Sequence, residues 1–468
     1  MKITPFYINL LELKGIKTYS RETSLSFCKE DGTISKWTLI LGDNGVGKST
    51  LLQCIAWMKP LLPYNMTEVG ETFVASPLIN DEENEVLEKL VSRKNEGEGT
   101  LEIRGHFVAN SILGQKAKTG TTDNCETGIK IGVNEHRKLD LVEPSFLAEN
   151  KNVFYDDEVL VFGYGASRTI GKQNLSNPRL FDTIPQFINE RTELYDPEEI
   201  LHSIRYASLA SKKKGDRLKY AKLLDDIKEI IVSTLPDFEE IDKFEILPPR
   251  VLLSDPEGGI IVTTKYGKKI PFADLSLGYR TIMSVIIDLS WRLFNKYQAQ
   301  SSKPLNEPAI VLIDEIDLHL HPIWQGEIMP KFSHHFPNIQ FIATAHSPLM
   351  LQTALEYNYA VVRFNDSEDA VEILNQPDGV DGWRVDQILT SELFGLESAR
   401  GIQYDKLIKD RKILLQKKKL TDADSRYLED IEKKLKKVPV GENPDEIKKR
   451  DYISELYNKI QNGEIKFE

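Results

Sequence analysis

The chain has 468 residues, 40% hydrophobic and 28% charged, which is an ordinary globular composition with room for several domains. Its 60 Lys and Arg against 72 Asp and Glu give a net charge of -12, which excludes a protein coated in positive charge for nucleic acid; any DNA contact must be local or lie on a partner. Cys28, Cys54 and Cys125 are too few for a disulfide framework, and no apolar run of about 18 residues occurs, so we expect a cytoplasmic protein with neither a membrane span nor an export signal.

The chain begins with three short β-like runs. Residues 7–13, 25–27 and 37–41 are separated by polar turns, and the last run leads directly into a glycine-rich loop. Residues 49–58 then place their apolar side chains on one face of a helix. The order strand, loop, helix is the context that a phosphate-binding loop requires.

The loop itself reads Gly42-Asp-Asn-Gly-Val-Gly47-Lys48-Ser49 and matches the phosphate-binding pattern. Its glycines let backbone N–H groups surround phosphates, Lys48 neutralises β/γ oxygens, and the Ser49 hydroxyl ligates Mg²⁺. A glycine-rich turn with a chance lysine is the alternative, which the flanking strand and helix disfavour. The predicted ATP-binding residues of this loop are Gly42, Asn44, Gly45, Gly47, Lys48, Ser49 and Thr50.

The next region, 61–250, is mixed and contains no sustained heptads. We predict strands at 101–108, 128–133 and 159–163, and then helices over 184–235, two of which are separated by the basic run 212–214. Arg168, in the loop after the third strand, is a candidate for phosphate sensing; a buried strand that ends in a turn is an equal alternative.

A second α/β block covers 251–375. It contains predicted helices at 278–297 and 322–336, strands at 309–313 and 339–343, and a closing β pair at 360–364 and 371–374. Because these strands are apolar without alternation, we expect a sheet covered by helices on both faces. The strand 309–313 ends at Asp314 and Glu315, so Asp314 can hold Mg²⁺ and Glu315 can polarise the attacking water.

Another anion site is predicted at the start of the long helix, in the segment Leu275-Ser276-Leu277-Gly278. The Ser276 hydroxyl, the Gly278 backbone and the helix N-terminus can all bind a phosphate. A single nucleotide already held by Lys48 does not need this second site.

The order of these motifs, followed by Asp317 and by Thr344-Ala-His346, resembles the heads of ABC-type ATPases. The resemblance implies ATP hydrolysis in a dimer, in which Ser276 and Gly278 close over the γ-phosphate bound by the partner. It also implies that His346 is the switch histidine that touches the γ-phosphate and that Asp317 is a D-loop residue that crosses the dimer interface. His319 and His321 are too few for a metal site and are interpreted as D-loop structure.

The last region, 379–468, is predicted to form charged helices with breaks near residues 420 and 439. Thr421 and Asp424 have capping-box spacing, and Asn443 precedes a first-turn proline. Apolar seams either close a helical hairpin within the chain or bind a partner, and these seams contain Leu407, Leu414, Leu428 and Leu435.

The 266 positions between Lys48 and Asp314 exceed the spacing in transporter heads and resemble the split heads of RecF-like, SMC-like and overcoming-lysogenisation-like ATPases. Residues 380–400 with the charged hairpin are similar to the ATPase subunits of Septu-type anti-phage systems, which work with a separate HNH nuclease. Asp366 and Asp369 have the wrong spacing for the metal site of nuclease-bearing relatives, so the nuclease is expected on another chain.

We therefore predict an α/β fold: an ABC-type head formed by 1–60 and 251–378, an inserted mixed α/β region at 61–250, and a helical partner-binding region at 379–468. The expected function is a homodimeric or higher-oligomeric ATPase that uses ATP and Mg²⁺ to control an HNH nuclease in anti-phage defence and contacts DNA through that complex. The alternatives are a RecF-like or SMC-like DNA-repair ATPase, the ATPase of a PARIS-like system, and a scaffold that binds ATP without turnover.

Overall fold

The structure is a computed structural model. It describes residues 3–59, 101–116, 124–133, 139–148, 159–168, 170–173, 194–238, 240–241, 244–248, 259–377, 379–380, 382–391, 393–394, 402–416 and 421–435. The chain divides into two compact units, Met1–Pro377 and Asp378–Glu468.

The strands are named in chain order. They are β1 (Phe6–Lys14), β2 (Thr23–Ser26), β3 (Trp37–Gly42), β4 (Leu101–Ala109), β5 (Asn124–Val133), β6 (Leu139–Ala148), β7 (Val161–Tyr164), β8 (Ile170–Gln173), β9 (Leu194–Tyr195), β10 (Phe244–Ile246), β11 (Ile260–Thr263), β12 (Lys269–Pro271), β13 (Ala309–Ile313), β14 (Ile339–Ala345), β15 (Asn358–Asn365) and β16 (Ala370–Asn375).

The α-helices of the described residues follow the same convention. They are α1 (Lys48–Trp57), α2 (Pro197–Ala210), α3 (Lys214–Thr234), α4 (Leu277–Tyr297), α5 (Pro322–His335), α6 (Pro348–Ala354), α7 (Val385–Leu389), α8 (Ile402–Gln416) and α9 (Asp422–Leu435). The predicted part of the helical region at 184–193 lies outside the described residues.

A six-stranded sheet forms the centre of the first unit, in the order β16-β15-β3-β14-β13-β7. The strands β15, β3, β14, β13 and β7 are parallel, and β16 pairs antiparallel at the edge. The apolar runs of β3, β13 and β14 are buried on both faces, as their lack of alternation predicts. Because the strands are parallel, the carboxyl ends of β3, β13 and β14 lie at one edge of the sheet.

Both faces of this sheet are covered. On one face, Ile40, Ile310 and Ile342 belong to a core that includes residues of α1 and β1. On the other face, Trp37 stacks on Phe341 with ring centroids 4.4 Å apart. The apolar side chains on the two faces fix the sheet between two layers, which leaves its carboxyl edge accessible for ligand binding.

A second, antiparallel sheet has the order β2-β1-β4-β5-β6. On β1, Leu11 and Leu13 are buried, whereas Glu12 between them faces outward and lies 2.9 Å from His106 of β4. This alternation is typical of a sheet with one face in the core. The inward face packs against the core that contains α1.

Strands of the predicted insert, 61–250, pair with strands of the predicted head. The strands β4, β5 and β6 extend the sheet that begins with β1, and β7 pairs parallel with β13 in the central sheet. The pattern of short apolar runs does not reveal these pairings, because strand partners far apart in the chain are chosen by tertiary packing. Helices α2 and α3 form a hairpin that packs on α4.

The second unit contains a helical hairpin. Tyr427 of α9 donates a hydrogen bond to Asp410 of α8 at 2.7 Å, and Leu414 and Ile431 are buried. The predicted capping box at the start of α9 is present, since the Thr421 hydroxyl accepts the Asp424 N–H and the Asp424 carboxylate accepts the Thr421 N–H. The predicted cap at 443 lies outside the described residues. No helix in the described part of the chain is long and apolar enough to cross a membrane.

Candidate nucleotide-binding and ATPase site

The phosphate loop connects β3 to α1 at the carboxyl edge of the central sheet. Gly47 precedes the helix with φ of 101°, a left-handed conformation that favours glycine, and a Cβ there would approach the Thr18 hydroxyl oxygen to 2.4 Å. Asn44 and Gly45 are exposed on the outer part of the loop, whereas Thr50 is buried in the first turn of α1. Their nucleotide contacts stay predictions.

Lys48 is buried in the loop. Its Nζ donates hydrogen bonds to the carbonyl oxygens of Gly42 and Asp43, both at 2.8 Å. Burial lowers the Lys48 pKa, and the nearby carboxylates of Asp314 and Glu315 oppose that shift. The lysine is thus held against the loop backbone beside an acidic pair.

His346 lies next to this lysine, with 3.5 Å between its Nδ1 and Lys48 Nζ. Because an ammonium group only donates, Nδ1 is the acceptor, and a neutral His346 then carries its proton on Nε2. The structure therefore brings together the lysine and the histidine that the sequence predicts to contact the γ-phosphate. The Nε2–H remains a donor suited to a phosphate oxygen.

Ser49 and Asp314 form the candidate magnesium site. The Ser49 hydroxyl donates to Asp314 Oδ2 at 2.7 Å, and the Thr344 hydroxyl donates to Asp314 Oδ1 at 2.5 Å. A hydroxyl and a carboxylate are oxygen ligands of the kind that Mg²⁺ takes beside phosphates, so these residues fit the ion. Elsewhere, His319 and His321 join no group of three or more possible metal ligands among the described residues.

Glu315 follows directly and has φ of 49°, an uncommon conformation for a residue other than glycine. Its backbone N–H donates to the Thr344 hydroxyl at 2.7 Å. The Thr344 hydroxyl thus links the backbone of Glu315 to the carboxylate of Asp314. The sequence identifies Thr344 only as part of the Thr344-Ala-His346 motif; its polar side chain near the end of the largely apolar strand β14 is the available signal.

Arg168 contacts the backbone of the acidic pair, and its predicted phosphate sensing stays a prediction. Its Nη2 donates to the carbonyl oxygen of Asp314 at 2.8 Å and also to that of Glu315. Burial lowers the Arg168 pKa to about 10, while Asp314, Asp317 and Glu315 act in the opposite direction. Arg168 therefore holds the backbone of the acidic pair, and no sequence pattern indicates this pairing across 146 positions.

The start of α4 presents the second predicted anion site. Ser276 is the N-cap residue, its side chain makes no capping hydrogen bond, and it is exposed. Gly278 lies against the next loop, where a Cβ would approach the His319 carbonyl oxygen to 2.3 Å. The residue at 278 must therefore lack a side chain, while the Ser276 hydroxyl is not used to cap its own helix.

Asp317 faces its own chain. Its Oδ2 accepts the backbone N–H groups of His346 at 3.0 Å and Ser347 at 2.8 Å. Its predicted contact with nucleotide or across a dimer interface stays a prediction. His321 caps α5, since its Nδ1 accepts the Ile323 N–H at 3.4 Å. This cap is a structural role, in keeping with the interpretation of His321 as loop structure.

Two supporting networks were not predicted. Tyr279, just after the Ser276 segment, donates a hydrogen bond to Asp237, which also pairs with Lys265 at 2.9 Å. Deeper in α4, the buried pair of Asp288 and Arg292 has an Nε to Oδ2 distance of 2.7 Å. The Tyr279–Asp237 contact fixes α4 against a residue far away in sequence, whereas the Asp288–Arg292 pair lies within α4.

Comparison with known proteins gives the context of this site. A family model described as "AAA domain, putative AbiEii toxin, Type IV TA system" matches residues 38–352. The Septu protein PtuA of Bacillus mycoides (strain KBAB4) is 27% identical over 393 residues, which cover 83% of this chain and 45% of PtuA. The Escherichia coli protein named "Retron Ec83 probable ATPase" is 29% identical over 257 residues, 55% of this chain and 44% of that protein.

The chain spans under half the length of these two relatives. Among solved structures, the SMC head domain from Thermotoga maritima is 13% identical, with a TM-score of 0.40, and the match covers 79% of this chain and 99% of that one. So loose a superposition adds nothing to the assignment, which rests on the family match and on the phosphate loop. The predicted resemblance to ABC-type and Septu ATPases is confirmed, and the chain belongs to this family of AAA domains.

Proposed function

We propose that this protein is the ATP-binding and ATP-hydrolysing subunit of an anti-phage defence complex. It dimerises through its heads and controls a separate HNH-type nuclease in the cytoplasm. The observation that carries the ATPase proposal is the convergence of Lys48, the Ser49–Asp314 pair and His346 at one edge of the sheet. The names of the Septu and retron relatives support the defence role.

The proposed reaction is in-line attack of water on the γ-phosphate of ATP. Glu315 orients the water, and Lys48 exchanges its loop carbonyls for phosphate oxygens. His346 donates from Nε2 to the γ-phosphate. When bound to Ser49 and Asp314, Mg²⁺ supplies charge neutralisation at the β- and γ-phosphates.

The exposed Ser276 at the N-terminus of α4 supports the proposed dimer. Ser276 is exposed and leaves its own helix uncapped, and an anion bound there would lie at the N-terminus of a 21-residue helix. In the proposed assembly, Ser276 and Gly278 of one chain contact the γ-phosphate held by Lys48 of the other. Each catalytic site then requires both chains.

Mixing two inactive variants tests this assembly. Lys48→Ala destroys the phosphate loop and Ser276→Arg blocks the other half, so each variant alone should lose ATPase activity. A mixed dimer contains one site with both halves intact, and random exchange should restore about a quarter of wild-type turnover. The control is a chain that carries both Lys48→Ala and Ser276→Arg, mixed with Lys48→Ala; this mixture contains no intact site. If the first mixture stays inactive after verified exchange of subunits, the composite site is wrong.

Turnover and nuclease control need separate measurements. In single-turnover assays, Glu315→Gln should bind ATP but lose hydrolysis, whereas equal rates would exclude the assigned role of Glu315. Lys48→Ala should remove the increase in Tm produced by ATP.

An HNH nuclease encoded beside this gene should co-purify with the protein, and its DNA cleavage should differ between wild type and Glu315→Gln. Equal cleavage would contradict nucleotide control of the nuclease.

A further inference from the structure

The tip of the α2–α3 hairpin carries a concentration of positive charge that the ATPase site does not use. Residues 205–222 hold seven Lys and Arg and a single acidic residue, Asp216, in a chain whose net charge is -12. The charge is local, because Glu198 and Glu199 begin α2 and Asp225 and Asp226 follow the tip on α3. We name residues 205–222 the hairpin tip. We propose that the hairpin tip binds the phosphate backbone of nucleic acid directly.

The basic side chains of the turn are available to a ligand. Lys212, Lys213 and Lys214 are exposed and lie where α2 ends and α3 begins. Lys213 is the N-cap residue of α3, and its side chain makes no capping hydrogen bond. Cations at the N-terminus of a helix are opposed by the helix dipole, so this arrangement does not stabilise the fold. A bound polyanion would relieve the repulsion.

Exposed apolar side chains alternate with the basic residues along the sequence of the hairpin tip. Tyr206 is 72% exposed on α2, and Leu209 and Leu218 are 67% and 63% exposed on either side of the turn. An aromatic ring beside lysines is the combination with which proteins stack a base while they neutralise its backbone. An acidic protein partner would use the lysines but would not require a stacking ring. The chemistry therefore favours nucleic acid, with an unpaired base on Tyr206.

The hairpin is rigidly supported on the ATPase head. Tyr220 packs on Phe294 of α4 with ring centroids 5.4 Å apart, and Lys219 Nζ donates to the carbonyl oxygen of Gln298 at 3.2 Å. These contacts lie at the C-terminal end of α4, and Ser276 lies at its N-terminal end. The 21 residues of α4 span about 30 Å, so the hairpin tip is well separated from the Ser276 segment at the other end of α4. We therefore expect binding at the hairpin tip to be independent of ATP turnover.

Fluorescence anisotropy with the full chain tests the proposal. The probes are a labelled 30-nucleotide single strand and the duplex of the same sequence, each titrated at several NaCl concentrations. Replacing Lys212, Lys213 and Lys214 by Gln should weaken binding about tenfold or more at low salt and should reduce the slope of log K against log salt by about 2. Tyr206→Ala should weaken binding of the single strand about fivefold or more and that of the duplex less.

A matched triple variant controls for net charge. Lys268→Gln, Lys303→Gln and Lys433→Gln remove the same charge from exposed positions outside the hairpin tip and should change affinity less than twofold. A Tm and an ATP turnover equal to those of the wild type in both triple variants establish that the fold and the ATPase site are intact. The ATPase proposal is tested by turnover and the tip proposal by nucleic-acid affinity, so failure of one is distinguishable from failure of the other. Equal loss in both triple variants, or no binding by the wild type at low salt, would overturn the inference. Competition by polyglutamate as strong as by an oligonucleotide of equal charge would instead indicate an acidic protein partner.

Discussion

The carboxylate of Asp317 accepts the backbone N–H of His346 at 3.0 Å, and it accepts the next N–H, from Ser347, at 2.8 Å. The segment that carries His346 is therefore held by the loop that follows the acidic pair in the same chain. The His346 ring lies beside Lys48 as a result. We therefore expect Asp317 to act as a positioning residue for the histidine.

Loss of this carboxylate should affect turnover more than ATP binding. Asp317→Ala leaves two backbone N–H groups without their acceptor, so we expect kcat to fall about tenfold while KM changes less than threefold. Asp317→Asn retains an acceptor oxygen and should recover part of the rate. Asp366→Ala, on an exposed turn, is the control. Wild-type kcat in Asp317→Ala would contradict the positioning role.

Arg168 should act through Glu315. Its Nη2 donates to the carbonyl oxygens of both Asp314 and Glu315, and the Lys side chain, which is one atom shorter, does not reach the position of Nη2. We expect Arg168→Lys to lower kcat and to keep the ATP-dependent rise in Tm. In a double-mutant cycle, Arg168→Lys should add little to the loss already caused by Glu315→Gln. Fully additive losses would show that the two residues act independently.

The buried ion pair in α4 should contribute strongly to stability. Arg292 is 2% exposed and pairs with Asp288, which also accepts a hydrogen bond from Tyr164 at 3.0 Å. Arg292→Leu leaves Asp288 as an uncompensated buried charge and should reduce the free energy of unfolding by roughly 3–5 kcal/mol. Arg21→Leu breaks the exposed pair with Glu368 and should lose at most about 1 kcal/mol. Similar denaturant midpoints for both variants would refute the difference.

The contacts of Asp237 with Tyr279 and Lys265 should make a pH-dependent contribution to the free energy of unfolding. Hydrogen bonds from Tyr279 and Lys265 lower the Asp237 pKa below its ordinary value of 3.8. The charged form is therefore favoured in the folded state, so the stabilisation is complete above pH 3.8 and is lost as the pH falls through the folded-state pKa. The difference in urea midpoint between wild type and Asp237→Asn should be largest near pH 7 and should narrow below pH 4. If the difference in urea midpoint grew as the pH fell, the assigned direction of the Asp237 pKa shift would be wrong.

The cysteine thiols should be unreactive in the folded protein. Burial raises the pKa of Cys28 to about 11 and that of Cys54 to about 12, and the pKa of Cys125 is also raised. Because the thiolate is the reactive form, a disulfide reagent at pH 8 should label these residues slowly in the native protein and rapidly in denaturant. Rapid labelling of Cys54 and Cys125 in the native protein would contradict their burial.

Local sequence was sufficient for the elements around the phosphate loop. The predicted strand at 37–41 and helix at 49–58 correspond to β3 and α1, and the strand at 309–313 is β13. These elements are determined by apolar periodicity and by glycines within a few residues, and such signals depend little on the rest of the fold. The positions of Lys48 and Ser49 in the loop follow from the same local rules.

Contacts between distant segments were decided by tertiary structure. Thr344 joins Asp314 across 30 positions, Arg168 reaches the acidic pair across 146, and β7 enters the central sheet from the region predicted as an insert. Parallel strands require long crossovers, and burial of both sheet faces selects their partners. By itself, the sequence determined the phosphate loop, the acidic pair and the family resemblance, because short-range spacing encodes them. Only the packed sheet decided which side chains orient those residues, because hydrogen-bond partners far apart in the chain meet only when their strands are neighbours.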